Sequence, residues 1–168
     1  MGKEPKRLDD LFHDTLKDVY FAEKKILTAL PKMIKAAQND DLKAAFEKHR
    51  GETVGQVERL EQVFAIIDEK PQGKTCDAIL GIVKEGEGVI EEYKGSPALD
   101  AGLLAVAQAV EHYEISRYGT LKAWAEELGH EAAAALLDET LEEEKNTDAA
   151  LTELAESVIN QGAEAEAA

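Results

Sequence analysis

Apolar residues return every three or four positions over long stretches of this chain, and nowhere do they alternate with polar ones over a useful length. That spacing marks helices with one buried face. Ala, Glu, Leu and Lys dominate, and all are strong helix formers. The pattern predicts five helices, at 5–37, 41–69, 75–93, 97–128 and 130–160, with breaks at Gln38–Asp41, Glu69–Thr75, Tyr93–Pro97 and Gly129. Gly129 stands just past a helix end, where a left-handed residue closes the last turn. Asp41 and Thr75 read as N-caps, and Ser96-Pro97 as an N-cap followed by proline at the first helical position. Pro31 should kink the first helix, because it removes a backbone donor. Residues 161–168 have no apolar face and read as a disordered tail after one domain over 1–160. Four helices are long, roughly 28–33 residues or ~45 Å at 1.5 Å per residue. Two long helices, a connection carrying a short helix, then two more long helices make an all-α four-helix bundle with a long crossover.

The apolar stripes are interrupted in a regular way. In the first helix the stripe runs Leu16, Val19, Tyr20, Glu23, Ile26, Leu30, with Glu23 where a leucine belongs. In the second it runs Phe46, His49, Glu52, Gln56, Leu60. In the fourth it runs Leu104, Ala107, Glu111, Glu114, Tyr118, Leu121. In the fifth it runs Leu137, Leu141, Glu144, Asp148 (or Thr147), Leu151. Each long helix therefore carries polar residues at its midpoint on the face that must be buried, and the short third helix does not.

Burying one unpaired carboxylate costs several kcal/mol. Six converge here: Glu23, Glu52, Glu111, Glu114, Glu144 and Asp148. The stripes hold no Lys or Arg at those levels to neutralise them, so bound cations are the simplest compensation. A Glu pair at i, i+3 presents two carboxylates from one turn, which suits two metal ions. His49 is a candidate nitrogen ligand, or a satisfied core histidine. His112 lies ~100° round the helix from Glu111 and should face outward. His13 and His130 read as structural or solvated, Cys76 as a small buried residue, and Trp124 as core. Tyr20 and Tyr118 flank the polar level by one turn.

Net charge narrows the function. With 19 Lys+Arg against 35 Asp+Glu the chain carries −16 at pH 7. That excludes the basic face a nucleic-acid binder needs and argues against an anionic membrane surface. No apolar run reaches the length of a membrane span. The single cysteine, Cys76, permits no intrachain disulfide and fits a reducing, cytoplasmic compartment.

The stretches DVYFAEKKIL (18–27), HRGETVGQVERLE (49–61), VEHYEISRYGTL (110–121) and ETLEEEKNTDAALTELA (139–155) resemble, in order, the bacterial stress-induced YciE/YciF family. The resemblance spans about residues 7–158. It implies a ferritin-like bundle similar in its core to rubrerythrin, a homodimer, and a di-iron or di-manganese site. Residue by residue, that site would take Glu23, Glu52, Glu111, Glu114 and Glu144. The histidines depart from the common Glu-x-x-His pattern: Gly55 and Thr147 stand three after Glu52 and Glu144, and His49 precedes Glu52. A site so rich in oxygen suits harder ions such as manganese or calcium.

The resulting expectation is a stress-response protein holding two divalent ions, iron or manganese, and acting on peroxide or oxygen. Its rival is a non-catalytic structural or interaction homodimer whose carboxylates hold a structural ion. Iron storage would need a hollow cage, which nothing in the chain specifies.

Overall fold

The computed structural model describes residues 4–164. Five helices form: α1 Leu8–Ala36, α2 Asp40–Ile66, α3 Asp77–Glu92, α4 Leu99–Glu127 and α5 Glu131–Leu154. After α5 the chain widens into a π turn, Ala155–Ile159, and closes with one more turn, Asn160–Ala163. Residues 161–163 of the expected tail are thus helical, and residues 165–168 lie outside the described residues. Among the described residues there is no strand. Helix α1 runs unbroken through Pro31 to Ala36.

The long helices form a ring in the order α1, α2, α5, α4, each packed on its neighbours, and α3 lies against α1 and α4 on the outside. This is the bundle with a helix-bearing crossover that the spacing predicts. Two apolar clusters fill it. One gathers Phe12, Leu16, Leu60, Phe64, Tyr118, Leu121 and Leu137. The other gathers Ile26, Leu30, Phe46, Ile79, Leu103 and Leu151. Between them every long helix passes through one polar level: Glu23 on α1, His49, Thr53 and Gln56 on α2, Glu111 and Glu114 on α4, Glu144 and Thr147 on α5, all buried. Trp124 is only partly buried, at the edge of the first cluster.

The turns that set the helices in register are closed by specific groups. Asn39, rather than Asp41, caps α2, its side chain accepting from the amides of Asp41 and Leu42 at 2.9 and 3.0 Å. Cys76, rather than Thr75, caps α3 through Sγ. Ser96 accepts from the Ala98 amide at 3.1 Å, so Pro97 lies in the turn before α4 instead of in its first helical position. Gly129 has φ +77° and closes α4 as expected: its amide reaches Glu126 O and the His130 amide reaches Ala125 O, the paired bonds of a Schellman ending. Asp68, with φ 56°, closes α2 in the same way.

The turn between α1 and α2 is tied to α4 by Asp100. Its carboxylate, 8% exposed, accepts from the backbone amides of Gln38 and Asn39 at 2.8 and 2.7 Å. A hydrogen bond to a charged acceptor contributes about 1.5–3 kcal/mol, and its loss leaves two amides of a part-buried turn without that acceptor. Asp100→Ala should therefore lower unfolding free energy by about 2–3 kcal/mol in urea titrations. Asp100→Asn, which keeps one acceptor oxygen, should recover part of that loss.

Candidate metal centre

The polar level is built from the inner faces of the four long helices. His49, Glu111, Glu114 and Glu144 each offer an atom within 4.8 Å of the others. Glu23 completes the group from α1, buried like the three glutamates of α4 and α5. Glu23 and Glu114 lie within hydrogen-bonding reach of one another, as do Glu111 and Glu144. His49 Nε2 stands 3.2 Å from Glu111 Oε1 without the angle of a hydrogen bond. Tyr118 donates its hydroxyl to Glu23 Oε1 at 2.5 Å, which makes it the neighbour that orients Glu23. Thr53 turns its hydroxyl back to the His49 carbonyl at 2.7 Å.

Ten side-chain atoms of this level are buried and without a hydrogen-bond partner among the described residues: Glu23 Oε2, both nitrogens of His49, Gln56 Oε1, and both oxygens of Glu111, Glu114 and Glu144. Burial drives the carboxyl groups upward. Desolvation raises Glu23 to about 8, and desolvation, reinforced by Glu144, raises Glu111 to about 12. Glu114 and Glu144 are raised by the same burial. Desolvation works the other way on His49, holding its ring neutral down to about 4. Tyr118 is held firmly protonated by its burial.

Two of the predicted residues stand at the rim. Glu52 keeps its side chain 22% exposed, accepts from Thr147 Oγ1 at 3.2 Å and pairs with Lys48 at 3.3 Å. Asp148, 21% exposed, faces His112 Nε2 at 3.2 Å and accepts from Gln108. The expectation of six buried acids becomes four, with Thr53 and Thr147 occupying the inward positions beside Glu52 and Asp148. His49 and Glu144 are brought together with the α4 pair.

The sequence reading missed a basic partner. Glu143, the neighbour of Glu144, takes both guanidinium nitrogens of Arg59 at 2.9 and 2.5 Å and the Gln56 amide at 3.0 Å. Arg59 also reaches Glu139 and Thr140. The signal was present in position: Arg59 follows Gln56 by three residues, one turn along the same side of α2. This pair neutralises Glu143 and leaves the four inner carboxylates without a cation.

A divalent ion holds opposed oxygen or nitrogen ligands at about 2.0–2.2 Å each, so they stand roughly 4 Å apart. A cluster of one imidazole and carboxylates within 4.8 Å of one another fits that demand, and its unpartnered atoms are the chemistry such an ion satisfies. The donor set is one nitrogen among oxygens, which suits the harder divalent ions.

The fold and this inward layer define a ferritin-like four-helix bundle with a His/Glu core. The chain belongs to the family described as Domain of unknown function (DUF892), which matches residues 7–164. It is 46% identical over 160 residues to protein YciF of Escherichia coli (strain K12), covering 95% of this chain and 96% of that one. The crystal structure of that stress protein superposes with a TM-score of 0.89 at 46% identity, covering 94% of this chain and 99% of the other. YcfI of Rhodopseudomonas palustris, described as a candidate structural protein, gives 0.84 at 47% identity over 90% and 97%. The resemblance to the stress-protein family read from four stretches of sequence is thereby established, and so is the ferritin-like bundle. No helix among the described residues is long and apolar enough to cross a membrane.

The titration of this layer has a defined sign. A carboxyl whose folded value is raised keeps its proton longer when folded, so stability is lost as pH rises from its ordinary 4.5 toward the folded value, about 8 for Glu23. His49 is shifted downward from 6.5 to about 4, so its contribution is lost only as pH falls through that lower window. Between pH 6.5 and 8 the carboxyls alone act. The melting temperature of metal-free protein in chelator should therefore fall across that interval. The slope is about 1.4 kcal/mol per pH unit for each proton released, a few degrees at this chain length. A melting temperature that is flat or rising over the same interval would contradict the assignment.

Proposed function

We propose that this stress-protein relative binds divalent metal in the core of its bundle, two ions of iron or manganese. Glu23, His49, Glu111, Glu114 and Glu144 would hold them, with Glu52 and Asp148 at the rim. The observation that carries the reading is the set of ten buried, unpartnered donor atoms with no lysine or arginine among them. A fold that merely needed a core would fill this level with leucine, since exchanging buried charges for apolar side chains is commonly neutral or stabilising by about 1–4 kcal/mol. Iron or manganese bound there would supply one-electron exchange with dioxygen or peroxide. The protein's own part is to hold the carboxylates, to keep His49 neutral and able to ligate, and to fix Glu23 through the Tyr118 hydroxyl. A homodimer in the cytoplasm belongs to the same proposal, by similarity to the stress-protein family.

The test is a pair of opposite effects from one substitution. Glu114→Gln should abolish uptake of at least one ion per chain, read by elemental analysis of protein purified without added metal. At pH 8 in chelator the same variant should be more stable than wild type by about 1–2 kcal/mol, because an acid that burial forces to keep its proton has been replaced by a neutral amide. Wild type should gain about 2.7 kcal/mol when free metal stands a hundredfold above its dissociation constant, and the variant should not. Metal-free wild type whose melting temperature ignores added iron and manganese would overturn the proposal in favour of a structural role. Consumption of dioxygen or peroxide by the loaded protein then separates an enzyme from a binding protein.

A further inference from the structure

The polar layer is approached from the outside on the side of α3. A narrow cavity of about 30 Å³ runs between α1, α3 and α4. Its inner end is His49 and Glu111, and its mouth lies beside Lys32 and Glu87, which pair at 3.0 Å across the gap from α1 to α3. Between the two ends the walls are apolar, from Ile26, Leu30, Met33, Val83, Val106 and Val110. A single water needs about 10–15 Å³ of such space, so the volume admits a molecule of one or two heavy atoms and nothing larger.

The walls decide which small molecule. A hydrated ion would shed its shell against side chains that offer it no replacement, and hydrogen peroxide would lose hydrogen bonds for the same reason. An uncharged apolar diatomic loses nothing. The cavity also ends on an unsatisfied polar side chain: His49 is 4% exposed, and neither of its ring nitrogens is hydrogen-bonded. Gly86 holds the passage open. It lies inside α3, where glycine costs roughly 1 kcal/mol against alanine. A Cβ placed there would stand 3.1 Å from Val106 Cγ1, so a larger side chain must enter the space between α3 and α4.

We propose that this passage is the route by which dioxygen, or an uncharged diatomic of its kind, reaches the His49–Glu111 end of the layer. The proposal rests on the reading of that layer as a metal centre, but its first test needs no metal. In metal-free protein, dissolved dioxygen should enhance the NMR relaxation of the Ile26 and Val110 methyls several-fold more than that of Leu16 and Leu137, buried in the other cluster. Gly86→Val should remove the difference. Ala29→Leu, at the mouth, is the second variant should Gly86→Val fail to fold. Equal enhancement in the two clusters, or an enhancement untouched in a folded variant, would overturn the route. In the second arm the ferrous-loaded variants should retain wild-type metal content and consume dioxygen several-fold more slowly. Unchanged consumption also overturns the proposal. Absence of metal in wild type would instead strike the metal-centre reading and leave the relaxation result to decide the passage.

Discussion

Four carboxyl groups with no counter-charge, held in one buried layer, are the constraint to which the rest of the molecule answers. Glu23, Glu111, Glu114 and Glu144 come from three helices, and the fourth contributes His49. A group of that kind is stable only if the surrounding structure leaves it no room to relax into water. The two apolar clusters supply that confinement. Each lies on one side of the layer and draws on all four long helices, so no helix can rotate or slide to expose its carboxylate without opening both clusters.

The same constraint explains where the specific polar contacts fall. Asp100 binds the α1–α2 turn to α4, and Gly129 fixes the exit from α4 into α5. Both sit at bundle ends, where they set helix register, and register places Glu111 and Glu114 opposite Glu23 and Glu144. At the layer itself, Tyr118 fixes Glu23 from within, while Arg59 and Gln56 hold Glu143 just outside. A guanidinium one turn nearer would have neutralised the layer. Its pairing with Glu143 and Glu139 keeps it at the rim. The arrangement sacrifices stability at the centre and recovers it around the edge.

The bundle, its crossover helix and the level of the site were legible because each long helix broke its own apolar period at mid-length. What was not legible was the rotation of α2 and α5 to within half a turn. Counting 3.6 residues from His49 falls between Glu52 and Thr53, and counting from Glu144 falls between Thr147 and Asp148. In both cases the threonine is inward and the acid is at the rim. Packing decides this, because a short hydroxyl can bond the helix's own carbonyl, as Thr53 does to His49, whereas another buried carboxylate would need another cation. The Arg59–Glu143 pair was hidden for a related reason. It joins two helices distant in sequence, and its meeting depends on the same unresolved rotation. Caps were misplaced by one or two residues, at Asn39 and Cys76, where neighbouring residues could each accept a backbone bond.

Once the rotation is fixed, the two sides of the layer differ in chemistry. Toward α2 and α5 it meets solvent through Glu52, Glu143 and Arg59, a charged and partly exposed seam. Toward α1, α3 and α4 it meets only aliphatic walls and one glycine. The crossover helix makes that difference. Without α3 the flank of α1 and α4 would face water directly. With it, Val83 and Gly86 stand over the groove, and the single surface ion pair of Lys32 and Glu87 remains at the opening. That pair is exposed and so contributes little to stability. A helix that buries only Ile79 and Gly86 within its own length is a poor investment in core packing. It is better understood as a wall, one that keeps the His49 end of the layer dry while the opposite edge stays wet.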